Sequence, residues 1–398
     1  MVPASGWYRA PLQVAVASLA ATLTTLPIVA THFQRVSWVG MVANVPAAPV
    51  SSFVLVPLAL AGGLIGQVSS SFANVVLTMA GWAADVLVAM ARLAAAVPFG
   101  ASEMPAFGVF SAGCYYFALI AFFIPGGRGT AAVGVALCCG AVGIPRTWLI
   151  SGLTVTFLPV GQGDAALVEF PDGRTLLVDT GPPGTYRSAV QQVILPFLRR
   201  RGIHRLDALV LSHPHADHVG GIDELRQAIS IERVWWSGDR REVPRVLLAP
   251  IEALEPMLVR APMRWIWAGV TVELLAPDRP VEAYASVNDA SVVMRLRYGQ
   301  RSILLTGDAE ASSELRLVQQ YGARLVADVL KLGHHGSRTS TTEAFLRAVQ
   351  PRHAVVCAGL ENKFGFPHRE VMTRLRRRNV RVWRTDIHGA VTVHTDGR

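Results

Sequence analysis

Long hydrophobic runs occupy the first 150 positions of the chain and predict membrane helices. Residues 11–30 carry no charged side chain and are long enough to cross a bilayer, which takes about 20 apolar residues. Further apolar runs cover residues 50–66, 72–97, 106–124 and 130–150. The run 72–97 contains Asp85 and Arg92, so it is either an interfacial helix or a span that faces protein. We therefore predict an all-α transmembrane region over residues 1–150, with three to five membrane segments.

From residue 152 onward the hydrophobic pattern changes to short β-type runs separated by turns. Residues 153–160 and 165–170 flank a glycine-rich turn, and Asp172-Gly173 marks a hairpin into the next strand. Further strands are predicted at 208–213, 270–275, 291–298, 302–306, 326–332 and 353–357. Helices are predicted at 187–201, 310–321, 341–349 and 368–378. Strands backed by helices in this mixed order predict an α/β fold, an αββα sandwich over residues 152–398.

The distribution of charge supports the same division of the chain. Residues 1–150 hold only five of the 37 Lys and Arg residues and two of the 28 Asp and Glu residues. The net charge of +9 favours an anionic partner, either nucleic acid or lipid head groups, although positive-inside anchoring would also explain it. The four cysteines suggest no disulfide framework, because only Cys357 lies in the second half.

Four metal-ligand side chains fall within six residues in the middle of the second half. His213, His215, Asp217 and His218 follow a predicted buried strand and precede a helix that starts near Gly220-Gly221. A turn of this kind can direct several side chains toward one point. Imidazole and carboxylate groups are the ligands expected for Zn²⁺ or Mn²⁺, so this segment predicts a metal site.

Three more segments place polar side chains at the ends of predicted strands. Asp308 ends a strand in LLTGD, where a carboxylate could bridge two cations, although the same residues would also suit an ordinary turn. The pair His334-His335 ends another strand in KLGHHGS. Asp179 ends a third, and we expect it to orient a ligand histidine rather than to bind metal.

These motifs together resemble the metallo-β-lactamase superfamily over essentially all of residues 153–398. More narrowly, the chain resembles the ComEC family, the DNA-internalisation channel of natural competence. The matching segments are VGQGDA (160–165), SHPHADHVGG (212–221), NDASVVMRL (288–296), LLTGDAE (304–310), VLKLGHHGS (329–337), RTDIHGAV (384–391) and, in the membrane region, MVANVPAAPVSSFVLVPLAL (41–60). The family usually has more membrane helices and an N-terminal extracytoplasmic domain, so we expect this chain to be truncated or split.

With this resemblance we assign roles in a centre of two divalent ions, Zn or Mn. The first ion takes His213 and His215, the second takes Asp217, His218 and one of His334 and His335, and Asp308 bridges them. The catalytic residues are then Asp217, His334 and His335, with the non-ligand histidine protonating the leaving oxygen or contacting phosphate. Supporting positions, in a second shell or near substrate, are Asp164, Asp179, Asn288 and Ser337. Ser337 would bind phosphate or, as the better-supported alternative, cap a helix.

Two positions depart from the pattern of relatives. Many superfamily hydrolases supply a further histidine between the first cluster and the bridging aspartate, but no histidine lies between residues 219 and 333. Asn288-Asp289 would occupy that region, so we expect the first ion to be bound more weakly than the second. Phe366 stands where many relatives would have a histidine, while His368 remains.

Arginines crowd the last predicted helix and bear on the substrate. Arg374, Arg376, Arg377 and Arg378 form either a solvated helix face or a surface that tracks phosphates. With the resemblance, they favour a membrane-tethered phosphodiesterase that degrades one strand of incoming DNA. A DNA-guiding transport subunit with little hydrolysis and a small-molecule phosphoesterase at the membrane surface remain alternatives. The expected partners are DNA, membrane lipid and other competence-channel components. The expected location is the inner membrane. The sequence itself leaves the side of the hydrolase domain open, and the family resemblance favours the extracytoplasmic side.

Overall fold

A computed structural model describes residues 9–104, 107–143, 151–184 and 188–398. The chain divides into two compact units, Met1–Ile144 and Pro145–Arg398.

The first unit consists of apolar helices and one pair of short strands. In chain order its elements are α1 (Arg9–Phe33), β1 (Arg35–Ser37), α2 (Val39–Val50), α3 (Val56–Ile65), α4 (Ser70–Ala95), β2 (Ala101–Glu103), α5 (Val109–Phe123) and α6 (Arg128–Gly143). A π-helical turn at Ser51–Leu55 joins α2 to α3. Three helical stretches are long and apolar enough to cross a membrane, namely Leu12–Phe33, Val39–Ile65 and Ser70–Ala95.

Two of the predicted apolar runs have different bounds in the structure. The run 106–124 contains α5, which has 15 residues, fewer than the roughly 20 that a bilayer needs. The run 50–66 is part of a longer helical stretch, which begins at Val39 and passes through Pro46 and Pro49. Residues 144–150 of the predicted run 130–150 lie outside the described residues.

The second unit is built on two seven-stranded sheets. Its strands are β3 (Leu153–Phe157), β4 (Ala166–Glu169), β5 (Thr175–Val178), β6 (Arg205–Leu206), β7 (Ala208–Leu211), β8 (Ser230–Ile231), β9 (Val234–Trp236), β10 (Met257–Leu258), β11 (Met263–Trp267), β12 (Val270–Ala276), β13 (Val293–Tyr298), β14 (Arg301–Leu305), β15 (Val329–Lys331), β16 (His353–Val356), β17 (Arg381–Arg384) and β18 (Val391–Thr395). The first sheet has the order β10-β9-β7-β5-β4-β3-β18, and the second runs from β11 to β17 in sequence order.

Helices cover the outer faces of the two sheets. They are α7 (Leu195–Arg200), α8 (Ala216–Val219), α9 (Ile222–Ala228), α10 (Arg245–Glu252), α11 (Ala311–Tyr321), α12 (Glu343–Val349), α13 (Arg369–Arg377) and α14 (Thr385–His388). Residue 187 of the predicted helix 187–201 lies outside the described residues, and a π-helical turn at Val190–Ile194 precedes α7.

Three apolar clusters explain this layering. One lies between the sheets and joins residues such as Val155 and Phe157 of the first to Val272 and Leu296 of the second. A second cluster packs α7, α9 and α10 against the outer face of the first sheet. A third packs α11, α12 and α13 against the second sheet. The predicted αββα sandwich is confirmed.

The parallel strands fix where a site can form. β5, β7 and β9 run parallel in the first sheet, and β14 to β17 run parallel in the second. Because the carboxyl ends of parallel strands meet at one edge, the loops that follow them collect there.

Candidate metal centre

The polar residues singled out in the sequence follow these parallel strands. Asp179 comes directly after β5, and His213 lies two residues beyond β7. Asp308 follows β14, and His335 lies in the turn after β15. Three of the site residues have left-handed backbones, with φ of 63° at Asp179, 44° at His334 and 53° at His335. Such conformations cost about 1–3 kcal/mol for a residue with a side chain and concentrate at functional sites.

One ligand group joins the two sheets through His213, His218 and Asp308, which are all buried. Asp308 Oδ2 lies 3.4 Å from His218 Nε2 and 3.8 Å from His213 Nε2. The tight turn at Gly307 allows this approach, because a Cβ there would lie 2.9 Å from Ser291 Cβ.

A second group shares His218 and adds Asp217 and His335. His335 Nε2 lies 3.3 Å from Asp217 Oδ2 and 3.5 Å from Asp308 Oδ2. His218 belongs to both groups, and Asp308 contacts ligand atoms of both. The structure therefore brings five of the seven predicted ligands together.

Hydrogen bonds fix which ring nitrogen faces the centre. His218 Nδ1 donates to Asp179 Oδ2 at 2.8 Å, so its Nε2 points toward Asp308. Asp179 also accepts from the Ser212 backbone N–H and hydroxyl, each at 2.7 Å. His335 Nδ1 donates to the Cys357 carbonyl at 2.8 Å, which directs its Nε2 to the centre. Fixing the distal nitrogen is the usual way in which a protein orients a metal-binding histidine.

Lys331 is a component of the centre that the sequence analysis missed. It ends β15, and its side chain is almost fully buried. Its ammonium forms an ion pair with Asp164, lies 3.6 Å from Asp308 Oδ1 and donates to the Gly307 carbonyl at 2.8 Å. A charge at the end of the apolar strand VLK, directly before LGHHGS, was the available signal.

The charges of the centre shift one another strongly. Burial opposes the charged form of His335, but Asp308 and Asp164 outweigh it and raise the pKa of that imidazole to about 10. Burial likewise opposes ionisation of Asp217, but His218 and His335 lower its pKa to about 2. Burial and the neighbouring His218 hold the pKa of His213 well below its usual value. Carboxylates and imidazoles therefore lie side by side in a largely buried centre.

The donor set fits divalent cations. Buried atoms left without a hydrogen-bond partner among the described residues include His218 Nε2 and Asp308 Oδ1. Buried polar atoms are usually satisfied, so an unpartnered imidazole nitrogen beside carboxylates points to a ligand. Imidazole and carboxylate donors suit zinc and manganese.

Two sequence-based models match the chain. A model described as the metallo-β-lactamase superfamily matches residues 158–359, just over half of the chain and the whole segment that carries the ligand groups. The chain belongs to the metallo-β-lactamase superfamily. A model described as competence protein matches residues 3–128, within the helical unit.

Curated relatives match both units. Competence protein ComA of Neisseria gonorrhoeae is 33% identical over 94% of this chain and 50% of its own length. ComE operon protein 3 of Bacillus subtilis is 28% identical over 95% of this chain and 51% of its own length. Recombination protein 2 of Haemophilus influenzae is 35% identical over 66% of this chain and 31% of its own length. The chain spans about half the length of the first two relatives.

Solved structures also resemble the chain. The diiron β-hydroxylase CmlA of Streptomyces venezuelae has a TM-score of 0.42 and 14% identity, covering 62% of this chain and 54% of its own. A metallo hydrolase of Ignicoccus hospitalis has a TM-score of 0.40 and 14% identity, covering 61% and 99%.

Two predicted ligands of the metallo-β-lactamase domain lie beside the two groups rather than in them. His215 Nε2 donates to Glu242 at 3.0 Å, and its Nδ1 lies 3.1 Å from His213 Nε2. His334 Nδ1 donates to Glu310 at 2.9 Å. The pair at the end of β15 is therefore split, with His335 turned into the centre and His334 turned to a neighbouring carboxylate.

The remaining predicted positions of the metallo-β-lactamase domain surround His334. Asn288 Nδ2 lies 3.4 Å from His334 Nδ1. Ser337 does not cap a helix, so that expectation was wrong: its hydroxyl contacts Thr339 Oγ1 at 2.9 Å, while Thr342 caps α12 by accepting from Phe345 N. The cap falls five residues later because the turn after GHHGS continues through Thr341 before the helix starts.

The four arginines predicted to contact nucleic acid fall into two classes. Arg374 donates to the carbonyls of Ser340 and Thr341, each at 3.1 Å, and Arg378 forms an ion pair with Glu343. Arg376 and Arg377 are exposed. Of these four, Arg376 and Arg377 present exposed cationic groups, whereas Arg374 and Arg378 hold α13 against its neighbours.

Proposed function

We propose that this chain is a membrane-embedded, metal-dependent phosphodiesterase that cleaves DNA during its uptake. The observation that carries the proposal is the convergence of His213, His218, Asp308, Asp217 and His335 in a chain that also matches the competence protein model. The relatives named for competence and recombination support DNA as the substrate. The apolar helices support an inner-membrane location, and the family resemblance favours the extracytoplasmic side for the hydrolase domain.

The residues of the centre would hold up to two cations. The two ligand groups share His218, whose Nε2 can bind one cation at a time because its Nδ1 is engaged by Asp179. One cation would therefore take Asp217, His218 and His335, and the other would rely on His213 and Asp308. Divalent cations, when bound, activate water as a nucleophile and neutralise the charge that develops on phosphate oxygens. Asp179 fixes His218, and the Cys357 carbonyl fixes His335, so both imidazoles are oriented before substrate arrives.

His334 and Glu310 provide a place for a proton beside the ligand groups. The carboxylate accepts the Nδ1 proton of His334 and the hydroxyl proton of Thr339 at 2.6 Å. The hydrogen bond from His334 is the main reason that the pKa of Glu310 is lowered. A histidine oriented in this way can carry a proton on Nε2, so we assign His334 as the group that protonates the leaving oxygen.

A second function is favoured by the position of His215. Its Nε2 is engaged by Glu242, and the buried Lys331 ammonium already offsets the charge of Asp308. A centre that binds cations weakly would suit a domain that guides DNA with little hydrolysis.

One experiment on the full chain in detergent distinguishes the two functions. We expect protein stripped with a chelator and reloaded with Mn²⁺ or Zn²⁺ to cleave DNA, and Asp217→Ala to abolish this cleavage. Asp172→Ala, in the exposed hairpin turn after β4, is the matched control and should cleave normally. A loaded protein that binds DNA but cuts neither DNA nor a small phosphodiester would favour the guiding function. Cleavage of the small phosphodiester alone would favour the small-molecule phosphoesterase.

A further inference from the structure

A strip of aromatic rings runs from solvent to the metal centre along the loop that follows β16. The rings of Phe364 and Phe366 stack, with centroids 5.4 Å apart and planes inclined by 16°. Phe366 then meets His334 at 5.5 Å and His335 at 6.1 Å. His368 packs edge-on against Phe366 at 5.1 Å. We call Phe364, Phe366 and His368 the aromatic strip.

The outer end of the aromatic strip is exposed. Phe364 is 50% exposed, and Leu360 in the same loop is 74% exposed. The sandwich buries Phe157, Phe170 and Phe345 completely, and Phe197 is half-buried. Exposed apolar side chains gathered at the rim of a site commonly mark a surface that binds a ligand.

The loop holds the strip in a fixed conformation. The Asn362 side chain donates to the carbonyls of Gly359 and Phe366 at 3.0 and 2.8 Å and accepts from Phe366 N at 2.9 Å. The Gly359 N–H donates to the Gln162 side chain at 3.2 Å, which ties the loop to the turn that carries Asp164. A ligand that stacks here would therefore meet rings that are already ordered, so little conformational entropy is lost on binding.

Cationic side chains lie beside the strip. The Lys363 ammonium sits 5.0 Å from the centroid of the Phe364 ring. Arg338 is exposed, and its backbone N–H donates to His368 Nδ1 at 2.9 Å. The same loop also carries the exposed Glu361, so its net charge is small. The ring faces, more than the charge, distinguish this rim from an ordinary polyanion surface.

We propose that the aromatic strip is a stacking platform for an unpaired base of single-stranded nucleic acid, and that it sets a preference for single strands at the metal centre. The proposal rests on the proposed phosphodiesterase function. Bases stack on exposed aromatic side chains without regard to sequence, and nearby cations hold the backbone. A base within a duplex is already paired and stacked, so it cannot lie on the strip without being extruded.

The test compares two oligomers that differ only in their bases. A fluorescent thymidine oligomer and an abasic oligomer of the same length and charge are titrated with the full chain in detergent. A chelator is present, so no cleavage occurs and binding alone is measured. We expect wild-type protein to bind the thymidine oligomer at least about 5-fold more tightly, the lower end of what one stacked base contributes. Phe364→Ala should remove most of this preference, and Phe364→Trp should keep it.

Salt dependence separates stacking from phosphate binding. Phe364→Ala should lower the affinity for the thymidine oligomer by the same factor at low and at high salt, because no ion pair is broken. Lys363→Ala should instead flatten the salt dependence of binding, by about 0.7 in the slope for a single strand. Ile266→Ala, which removes a 61% exposed side chain on the edge strand β11, is the matched control and should retain the preference for bases.

Equal binding of both oligomers by wild-type protein would overturn the proposal. The proposal would also be overturned if Phe364→Ala lowered the affinity for both oligomers by the same factor. That result would identify Phe364 as part of a general polyanion contact. These outcomes do not depend on catalysis. A protein that cleaves DNA yet shows no preference for bases refutes the platform and retains the phosphodiesterase. A protein with the preference but no cleavage under any metal retains the platform and refutes the phosphodiesterase.

Discussion

Asp179 accepts three hydrogen bonds beneath the metal centre while its own left-handed backbone directs the carboxylate there. Asp179 belongs to one further candidate ligand group, with Asp164 and His218, and its Oδ2 accepts from His218 Nδ1 at 2.8 Å. A carboxylate in this position fixes the ring and strengthens the opposite nitrogen as a ligand.

We expect Asp179→Asn to weaken metal binding by about 10- to 100-fold, the usual effect of removing such a partner. The amide can still accept from Ser212, so the strand end should keep its shape. Competition between the protein and a coloured chelator measures the change. The control is Asp172→Asn, which alters an exposed carboxylate and should leave the affinity as it is. Equal affinity in both variants would show that Asp179 does not act through His218.

The sequence was informative about which residue types could act as ligands. It was less informative about the direction in which each side chain points. The density of histidine and aspartate at 213–218 was enough to locate the centre. Which of His334 and His335 turns inward depends on the left-handed backbone at both, a conformation that their identities do not encode. The burial of Lys331 was equally hidden, because a lysine at a strand end is usually exposed and only its partners Asp164 and Asp308, distant in sequence, make burial favourable.

Helix α11 carries a buried acid whose state couples two elements. Glu314 accepts from the backbone N–H groups of Thr341 and Thr342 at 2.5 and 2.8 Å, and thereby ties α11 to the start of α12. Burial raises the pKa of this carboxyl from 4.5 to about 7, despite those hydrogen bonds. The folded state thus binds this proton more tightly than the unfolded chain does.

We expect this carboxyl to make the sandwich less stable as pH rises. Because the pKa of Glu314 is higher in the folded state, its contribution is complete below pH 4.5 and is lost as pH rises through 7. Glu314→Gln should remove this dependence. Between pH 5 and pH 8 the free energy of unfolding of wild type should fall relative to the variant by about 2–3 kcal/mol. Urea unfolding of residues 151–398 at several pH values tests this, and parallel pH profiles would contradict it.

The arginines at the C-terminal end of α13 include two that are exposed, Arg376 and Arg377, and one that is engaged, Arg374. Replacing Arg376 and Arg377 together by Ala should lower the salt slope of single-strand binding by up to about 1.4, at about 0.7 for each lost phosphate contact. Arg374→Ala is the contrasting variant. It should instead lower the free energy of unfolding, because Arg374 donates hydrogen bonds to the carbonyls of Ser340 and Thr341. An unchanged slope in the double variant would mean that this helix face does not meet nucleic acid.

The sequence predicted most of the longer strands and helices, but it assigned no residue range to β6, to the strands from β8 to β11 or to the last two strands, β17 and β18. Strands such as β7, β12 and β14 have compact apolar runs, because sheet and helix cover both of their faces. β10 has only two residues, and β11 is an edge strand in which Arg264 and Ile266 are exposed while Trp267 is buried. Prolines at 244, 250, 256 and 262 further interrupt the pattern. Edge strands of this length leave little periodicity to detect.

For the whole molecule, the two units differ in the solvent that their surfaces require. The first unit exposes large apolar side chains along its helices, including Phe53, Phe72, Trp82 and Phe110. The sandwich instead buries its apolar clusters, which are formed by residues between 153 and 391. Helices that are apolar on all sides are suited to lipid rather than to water.

We therefore expect the full chain to need detergent and residues 151–398 alone to remain folded without it. Size-exclusion chromatography of both, with and without detergent, tests this expectation. The isolated sandwich should elute as one species and show cooperative unfolding. Full-length protein that is monodisperse in plain buffer would contradict the membrane assignment of residues 1–150.

The pairing of the first and last strands of the sandwich limits when the domain can be completed during synthesis. β18 lies antiparallel to β3, with Val391 opposite Phe157, and side chains such as Thr156 and Thr392 meet on the outer face. A ribosome releases β3 more than 200 residues before β18. Throughout that interval β3 has an unpaired edge, which invites pairing with other nascent chains. A truncated mRNA that ends before β18 should therefore produce a chain that cannot complete the sandwich and is degraded, rather than a folded domain with reduced activity.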